Sequence, residues 1–421
     1  MKKVGVALLG LGTVGYGTYR ILMENREYIK KNHGVDIEIK HILERNVERV
    51  KELGIDPKLV STDINNVLKN PEIQIVAEFF GGIEPARSFL IASLKAGKSM
   101  VTANKEMLSK HWSEFDKAAR EGKAGLYFEA SCVGGVPIIR TLTSSLQGDK
   151  IISITGILNG TTNYILSKMT NEGLEYDNVL KEAQAKGYAE ANPVADVDGY
   201  DSMYKLSILS TLAFHKKVPL DKITREGISK IEKIDIEYGK QFGYTLKLLA
   251  ISKNINGRIE SHVHPTFVKN DNPLASVGES YNAVTLTGSN VGDIMLYGRG
   301  AGDLPTGSAI VSDIVYCALQ EDHKYYFDDE THTDAFESDS ICRYYIRMLV
   351  CDKSGVLASI ANIFGKYNIS ISSMKQKEPT EGYASLVFFT HEVSYKDVTK
   401  AIFEIEKLTE VKSVDAKIRL L

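Results

Sequence analysis

Over the first third of the chain, short apolar runs alternate with amphipathic stretches. Val4–Leu9, Ile37–Leu43, Ile73–Phe79, Ser99–Thr102 and Leu126–Phe128 have the nearly continuous apolar character of buried strands, and Val14–Lys31 and Glu84–Ala96 between them repeat apolar positions at helical spacing. This alternation predicts an α/β domain with a Rossmann-type parallel sheet. From about residue 137 to 300 the rhythm changes. Helical segments at Thr162–Met169, Tyr176–Lys186 and Gly199–Phe214 mix with strand-like runs at Ile151–Ile157, Ser261–Thr266 and Ala283–Thr287, which predicts an α+β domain. The apolar stripes Ile208–Ala213 and Leu246–Ile251 read as core or as a subunit interface.

Residues 321–340 carry eight acids and few aliphatics, the composition of a solvated linker. Beyond it the pattern is strand Tyr344–Val350, turn Asp352–Gly355, helix Val356–Tyr367, strands Ile369–Met374 and Ala384–Thr390, helix Lys396–Leu408 and strand Val411–Lys417. That order is βαββαβ, the ferredoxin-like arrangement. The expected organisation is therefore a dinucleotide-type domain over 1–136, completed by about 300–320, a substrate and dimerisation domain over 137–300, a linker, and a small domain over 341–421.

A chain of 421 residues exceeds what one core supports, which agrees with several domains. The net charge of −3, with signs interspersed, leaves no basic stripe for a nucleic-acid backbone, so no nucleic-acid partner is expected. Cys132, Cys317, Cys342 and Cys351 show no CxxC spacing, and a reducing cytoplasm is expected. Gly10, Gly12 and Gly15 interrupt the apolar start before a signal segment forms, and no run approaches the roughly 18 apolar residues of a membrane helix, so no membrane partner is expected. The nine histidines form no HxxEH or HxH cluster, which argues against a catalytic zinc.

Gly10-Leu11-Gly12-Thr13-Val14-Gly15 follows a strand and opens a helix, so its N–H groups and the helix N-terminus would face a pyrophosphate. The acid that reads the ribose belongs at the end of the second strand. Asp36 lies at the start of that strand and Glu44 at its end, but Arg45 adjoins Glu44 and could hold a 2′-phosphate instead, so NAD and NADP both remain open. Lys105 closes the strand that ends at Thr102, on the side where open α/β sheets bind ligands. Asp201 and Lys205 are four apart on one helix face, with Glu190 and Asp196 on the approach to it. Asn159-Gly160-Thr161-Thr162 would cap a helix and could present N–H groups to a carboxylate. Gly298–Ser308 reads as a second glycine-rich loop before a helix at Ala309–Leu319, with Gly300 and Gly302 permitting close backbone approach.

Taken together, Gly10–Gly15, Val101–Lys105, Glu129–Pro137, Gly156–Tyr164 and Ala189 through Lys205 resemble homoserine dehydrogenase in order and spacing, over residues 3 to 320; the last 80 residues resemble an ACT domain. The resemblance implies Lys205, Lys105 and Asp201 as catalytic residues, Glu190 and Asp196 as carboxylates for a substrate ammonium, and Asn159 to Thr162 with Tyr188 as further substrate contacts. It implies Thr102, Lys105 and Gly302 beside the cofactor, and a sodium or potassium ion held by Glu129 with the carbonyls of Cys132, Gly134 and Val136. It also implies a small-molecule substrate, a homodimer or homotetramer, and an amino-acid effector near Asp352, Gly355 and Asn368. Asn192 and Ser202-Met203-Tyr204 depart from the usual pattern. The rivals are another semialdehyde dehydrogenase, which would need Cys132 as a nucleophile, and a non-catalytic dinucleotide and amino-acid sensor.

Overall fold

The first sheet has six parallel strands in the order β3-β2-β1-β4-β5-β6: β1 Lys2–Leu9, β2 Val35–Leu43, β3 Val60–Ser61, β4 Ile75–Glu78, β5 Ser99–Thr102 and β6 Leu126–Tyr127. This is a computed structural model that describes residues 1–320, 325–330, 335–337, 339–376 and 382–421. The strand order reverses between β1 and β4, and the crevice at such a switch point, beyond the carboxyl ends of the strands, is where open α/β sheets take their ligands. Val6, Leu8, Ile42, Ile75 and Val101 fill the core of this sheet, and Ile310 and Ile314, from a helix late in the sequence, complete it. That helix runs Asp303–Leu319. It lies so close to the Thr13–Glu24 helix that a Cβ on Gly17 would sit 2.4 Å from the Asp303 carbonyl oxygen.

Two sequence expectations shift here. Val14–Lys31 is not one helix: it divides at Asn25 (φ −99°, ψ 6°) into Thr13–Glu24 and Arg26–His33. The glycine-rich loop is also shorter than Gly298–Ser308. A strand extends to Arg299 and the helix begins at Asp303, because Pro305 is tolerated in a first turn, where its missing N–H costs nothing.

The chain divides into two compact units, each described by itself: Met1–Gly160, Asp201–Ile223 and Tyr281–Thr331 form one, and the remainder forms the other. The first unit also holds an antiparallel set in which β11 (Tyr281–Gly288) pairs with β7 (Ile151–Ile157) and β12 (Gly292–Arg299). In the second unit, β8 (Thr224–Arg225) pairs with β10 (Arg258–Lys269), and β10 forms a hairpin with β9 (Tyr244–Ile255). Asn256-Gly257 makes the hairpin turn with φ of +52° and +87°, the pair of positive angles that suits the twist of the flanking strands. The apolar stripe Leu246–Ile251 lies in β9 and is buried.

The C-terminal segment has the βαββαβ order. Its strands β13 (Ile341–Cys351), β14 (Ile371–Gln376), β15 (Tyr383–Thr390) and β17 (Val411–Leu420) lie in the order β17-β13-β15-β14 around Ile346, Met348, Ile360, Phe364 and Phe388, and a two-residue β16 (Val393–Ser394) pairs with β13. β17 runs past the expected Lys417 to Leu420, and its end pairs parallel with β10 through Thr266↔Arg419 and Phe267↔Leu420. The ferredoxin-like sheet is thus continuous with the hairpin of the preceding domain.

The acidic stretch differs from a solvated linker where it is described. Tyr325 is buried with Trp112 and Phe128 against its ring, and Phe336 is buried beside Ile259. Residues 321–324, 331–334 and 338 lie outside the described residues. Among the described residues no helix is long and apolar enough to cross a membrane.

Candidate active site

The turn after β1 has the shape a pyrophosphate needs. Gly10 takes φ +103°, and a Cβ on Gly15 would meet the Gly10 carbonyl oxygen at 2.3 Å, so both positions require glycine. A cavity of about 350 Å³ opens beside the turn, lined by Leu11, Gly12, Glu44, Arg45, Phe79 and Phe80 among others. Glu44 stands just past the end of β2, and its carboxylate accepts from the Leu11 N–H at 2.8 Å and from those of Arg45 and Asn46 at 2.8 and 2.9 Å. Asp36 is instead paired with Arg26 and Lys30 at the strand's start. Apolar walls, a glycine-rich turn opening a helix and a carboxylate at the end of β2 together fit the adenosine half of a dinucleotide.

One acid on the strand beside β1 was passed over at the level of sequence. Glu78, the last residue of β4, is fully buried; its oxygens accept from the Thr102 hydroxyl at 2.5 Å and the Phe80 N–H at 2.6 Å. Burial raises its pKa to about 7, against the pull of those two donors. Thr102 Oγ1 in turn accepts from the Asn104 N–H at 3.0 Å, and Asn104 Oδ1 caps the Lys105–Gly122 helix through the Met107 N–H at 3.1 Å. Lys105 is therefore the first residue of a capped helix, not part of a mobile loop. An acid ending an otherwise apolar strand run was the signal that could have found Glu78.

The Tyr200–Phe214 helix is buried along nearly its whole length, so the polar groups on it must find partners. Asp201 finds three. Its carboxylate accepts from Lys205 Nζ at 2.6 Å and Asn159 Nδ2 at 2.9 Å, and Lys105 Nζ lies 3.2 Å from its other oxygen. Burial pushes its pKa up, but the charges of Lys205 and then Lys105 outweigh burial and hold it well below the usual carboxylate range. Lys205 Nζ also donates to the Leu158 carbonyl at 2.7 Å. The lysine side chains differ in access: 10 % of Lys205 is exposed but 41 % of Lys105. Asn159, expected to meet a substrate carboxylate, donates to Asp201 through its Nδ2.

In the other unit, Thr161 Oγ1 donates to the Tyr188 carbonyl at 2.6 Å, and the Tyr188 ring packs on Tyr164. Thr162 is buried, Glu190 exposed, and Asp196 half-buried in the short Val194–Val197 helix.

Near Glu129, the loop over Cys132, Gly134 and Val136 is strained. Val133 (φ +58°) and Gly134 (φ +54°) are both left-handed, an outlier for a β-branched residue, and the Gly135 N–H donates to the Arg299 carbonyl at 3.1 Å. The Glu129 carboxylate is tied to the segment after this loop. It accepts from the N–H groups of Ile139 and Arg140 at 2.7 and 2.9 Å, and Arg140 bridges it to the buried Asp313. Burial pushes the Cys132 thiol up to about 12.

In the C-terminal domain, Gly355 (φ +93°) precedes a helix and Asn368 (φ +56°) follows it, so both residue types have a backbone reason; the Asp352 N–H donates to the Gly382 carbonyl at 3.0 Å. Gly302 (φ +120°) caps the Asp303–Leu319 helix.

Comparison with known proteins agrees in every domain. Residues 10–129 match the family described as homoserine dehydrogenase, NAD binding domain, residues 137–315 match homoserine dehydrogenase, and residues 344–410 match the ACT domain. A homoserine dehydrogenase of Synechocystis sp. is 40% identical, with 99% of each chain covered. A solved homoserine dehydrogenase from Thiobacillus denitrificans superposes with a TM-score of 0.92 at 38% identity, covering 100% of this chain and 99% of that one. A hyperthermophilic archaeal homoserine dehydrogenase mutant in complex with NADPH gives 0.66 at 26% identity, covering 76% and 100%. With near-full-length identity at this level to curated relatives, the chain belongs to the homoserine dehydrogenase family.

Proposed function

We propose that the protein reduces L-aspartate 4-semialdehyde to L-homoserine with NADPH or NADH, in the cytoplasmic biosynthesis of threonine, methionine and isoleucine. The observation that carries this reading is Asp201 bracketed by two lysines and an asparagine beside a dinucleotide-type sheet. The nicotinamide supplies the hydride; the protein supplies position and charge. As negative charge develops on the substrate oxygen, an ammonium of Lys105 or Lys205 stabilises it and gives it a proton. Asp201 and Asn159 keep those ammonium groups in register before the substrate arrives. Glu190 and Asp196 would hold the substrate ammonium, and the Asn159 to Thr162 turn, with Tyr188, its carboxylate.

Cofactor contacts fall to Gly10 through Gly15, Thr102, Gly302 and either Glu44 or Arg45. Glu129 and the carbonyls of Cys132, Gly134 and Val136 are hard donors suited to a sodium or potassium ion with a structural task. We assign an amino-acid effector to the C-terminal module and a homodimer or homotetramer to the assembly. Against a cysteine-dependent dehydrogenase stands the deeply buried, protonated Cys132 thiol. Homoserine oxidation, followed by nicotinamide absorbance with NAD and with NADP, in the presence and absence of threonine, tests the whole reading. No turnover with either nucleotide would refute it and favour a non-catalytic sensor.

A further inference from the structure

β4 and β5 end level with each other at the carboxyl edge of the parallel sheet. Their last residues, Glu78 and Thr102, are register partners, so the two side chains stand on one face of the sheet. Both are fully buried. A carboxyl group in such a place costs free energy unless its oxygens are satisfied, and here neutral donors that follow the two strands satisfy them. Oε1 accepts from the Phe80 N–H and Oε2 from the Thr102 hydroxyl.

These donors explain why the side chain is a glutamate. Thr102 Oγ1 has one hydrogen, which goes to Glu78, and it accepts in turn from the Asn104 N–H. With both of its oxygens accepting, Glu78 sets the direction of this chain of bonds. An amide of the same size would turn an N–H donor towards one of two existing donors. From Asn104 the chain divides. Oδ1 caps the Lys105–Gly122 helix through the Met107 N–H, while Nδ2 donates to the Gly82 carbonyl at 2.7 Å. The segments after β4 and β5 are thus joined twice, by Thr102 to Glu78 and by Asn104 to Gly82.

Lys105 is the next residue. Its side chain is more exposed than those of Asp201 and Lys205, and Asp201 holds its tip, 3.2 Å from Nζ. A lysine stem is flexible, so the place of its ammonium depends on where its Cα is held as well as on what meets its tip. The Cα is held by the capped first turn, and that turn is tied through Asn104 and Thr102 to the Glu78 carboxyl. Placement matters at this scale, because an error of about 1 Å in a reacting group can cost about 10²-fold in rate.

We propose that Glu78 is a positioning residue for the dehydrogenase reaction, fixing the root of Lys105 through Thr102 and Asn104 while Asp201 fixes its tip. The proposal rests on the reading that Lys105 acts on the substrate oxygen. The test is a double-mutant cycle in homoserine oxidation with Glu78→Gln, Lys105→Ala and the pair, each checked for folding by thermal melt and scored for kcat and both Michaelis constants. Glu78→Gln should lower kcat about tenfold or more and leave both Michaelis constants within about twofold. In the Lys105→Ala background the same replacement should change kcat by less than about twofold, because the group that it positions is gone. Equal losses in the two backgrounds would reduce Glu78 to a brace of the sheet and overturn the proposal. Wild-type kcat in Glu78→Gln, or a change confined to the Michaelis constants, would overturn it too. Asn104→Ser retains a capping oxygen for Met107 but lacks the amide that reaches Gly82, and it decides by the same criteria if Glu78→Gln does not fold. If Lys105→Ala alone turns over at the wild-type rate, the role of Lys105 fails and this proposal with it. Additive losses beside an impaired Lys105→Ala remove only Glu78.

Discussion

The glycine-rich turn carries little net charge: apolar walls, Arg45 and Glu44, whose oxygens already bind the N–H groups of Leu11, Arg45 and Asn46. At Asp201 the protein does the opposite, storing one carboxylate and two ammonium groups in contact before any substrate arrives. The difference follows from where charge comes from. A dinucleotide brings its own, so the binding site need supply only dipoles. An aldehyde is neutral until hydride reaches it, and the charge that then appears must find its stabilisers already in place. Burying these groups costs desolvation, and the three partners of Asp201 offset that cost.

The sharpest way to break this comparison is at the lysines. Lys205→Ala and Lys105→Ala should each lower kcat by about 10²–10⁴-fold while binding of the reduced nucleotide, followed by fluorescence, hardly changes. Wild-type turnover in both variants would remove the ion cluster from the chemistry; a loss in one alone would identify the proton donor. Asp201→Asn comes next. It leaves Lys205 buried beside a neutral amide, and removing one partner of a buried pair costs about 3–5 kcal/mol, so denaturant unfolding should show a loss of that order together with lower kcat.

Glu78 tests the cofactor side through pH. Its pKa rises from 4.5 to about 7 on folding, so between those values the folded state holds a proton that the unfolded state has lost. Stability therefore falls as pH rises through that window and is flat above it, by about 3 kcal/mol for this group. Glu78→Gln should flatten the decline between pH 5 and 7 in thermal melts; an unchanged profile would show that the carboxyl titrates normally. Smallest of all, Glu44→Ala should shift the preference for NADP over NAD upwards and Arg45→Ala downwards, each by roughly tenfold, or about 1.4 kcal/mol. Because Glu44 also ties down Leu11, its loss should raise both Michaelis constants, whereas that of Arg45 should raise only the one for NADP.

The alternation that reveals a Rossmann sheet is a property of burial on both faces, and so Val4–Leu9, Ile37–Leu43 and Ser99–Thr102 were readable as strands. Asp201 and Lys205 were readable as neighbours because a helix places i and i+4 on one face. Lys105 and Asn159 could not be joined to them in the same way: they lie 96 and 42 residues from Asp201 along the chain, and no local period reports such a contact. The break at Asn25 was hidden for a different reason. Asn is only a weak helix breaker, and amphipathic spacing continues through it. Tyr325 and Phe336 were masked by their acidic neighbours, since mean composition over a window hides single aromatic anchors.

The parallel pairing of β17 with β10 ties the fate of the β9–β10 hairpin to the ACT domain. If the C-terminal module were deleted, Thr266 and Phe267 would become a naked rim of hydrogen-bonding groups, an invitation to pair with another chain. A shortened enzyme would then be pressed to self-associate or precipitate, and the fusion, once made, would be hard for evolution to undo.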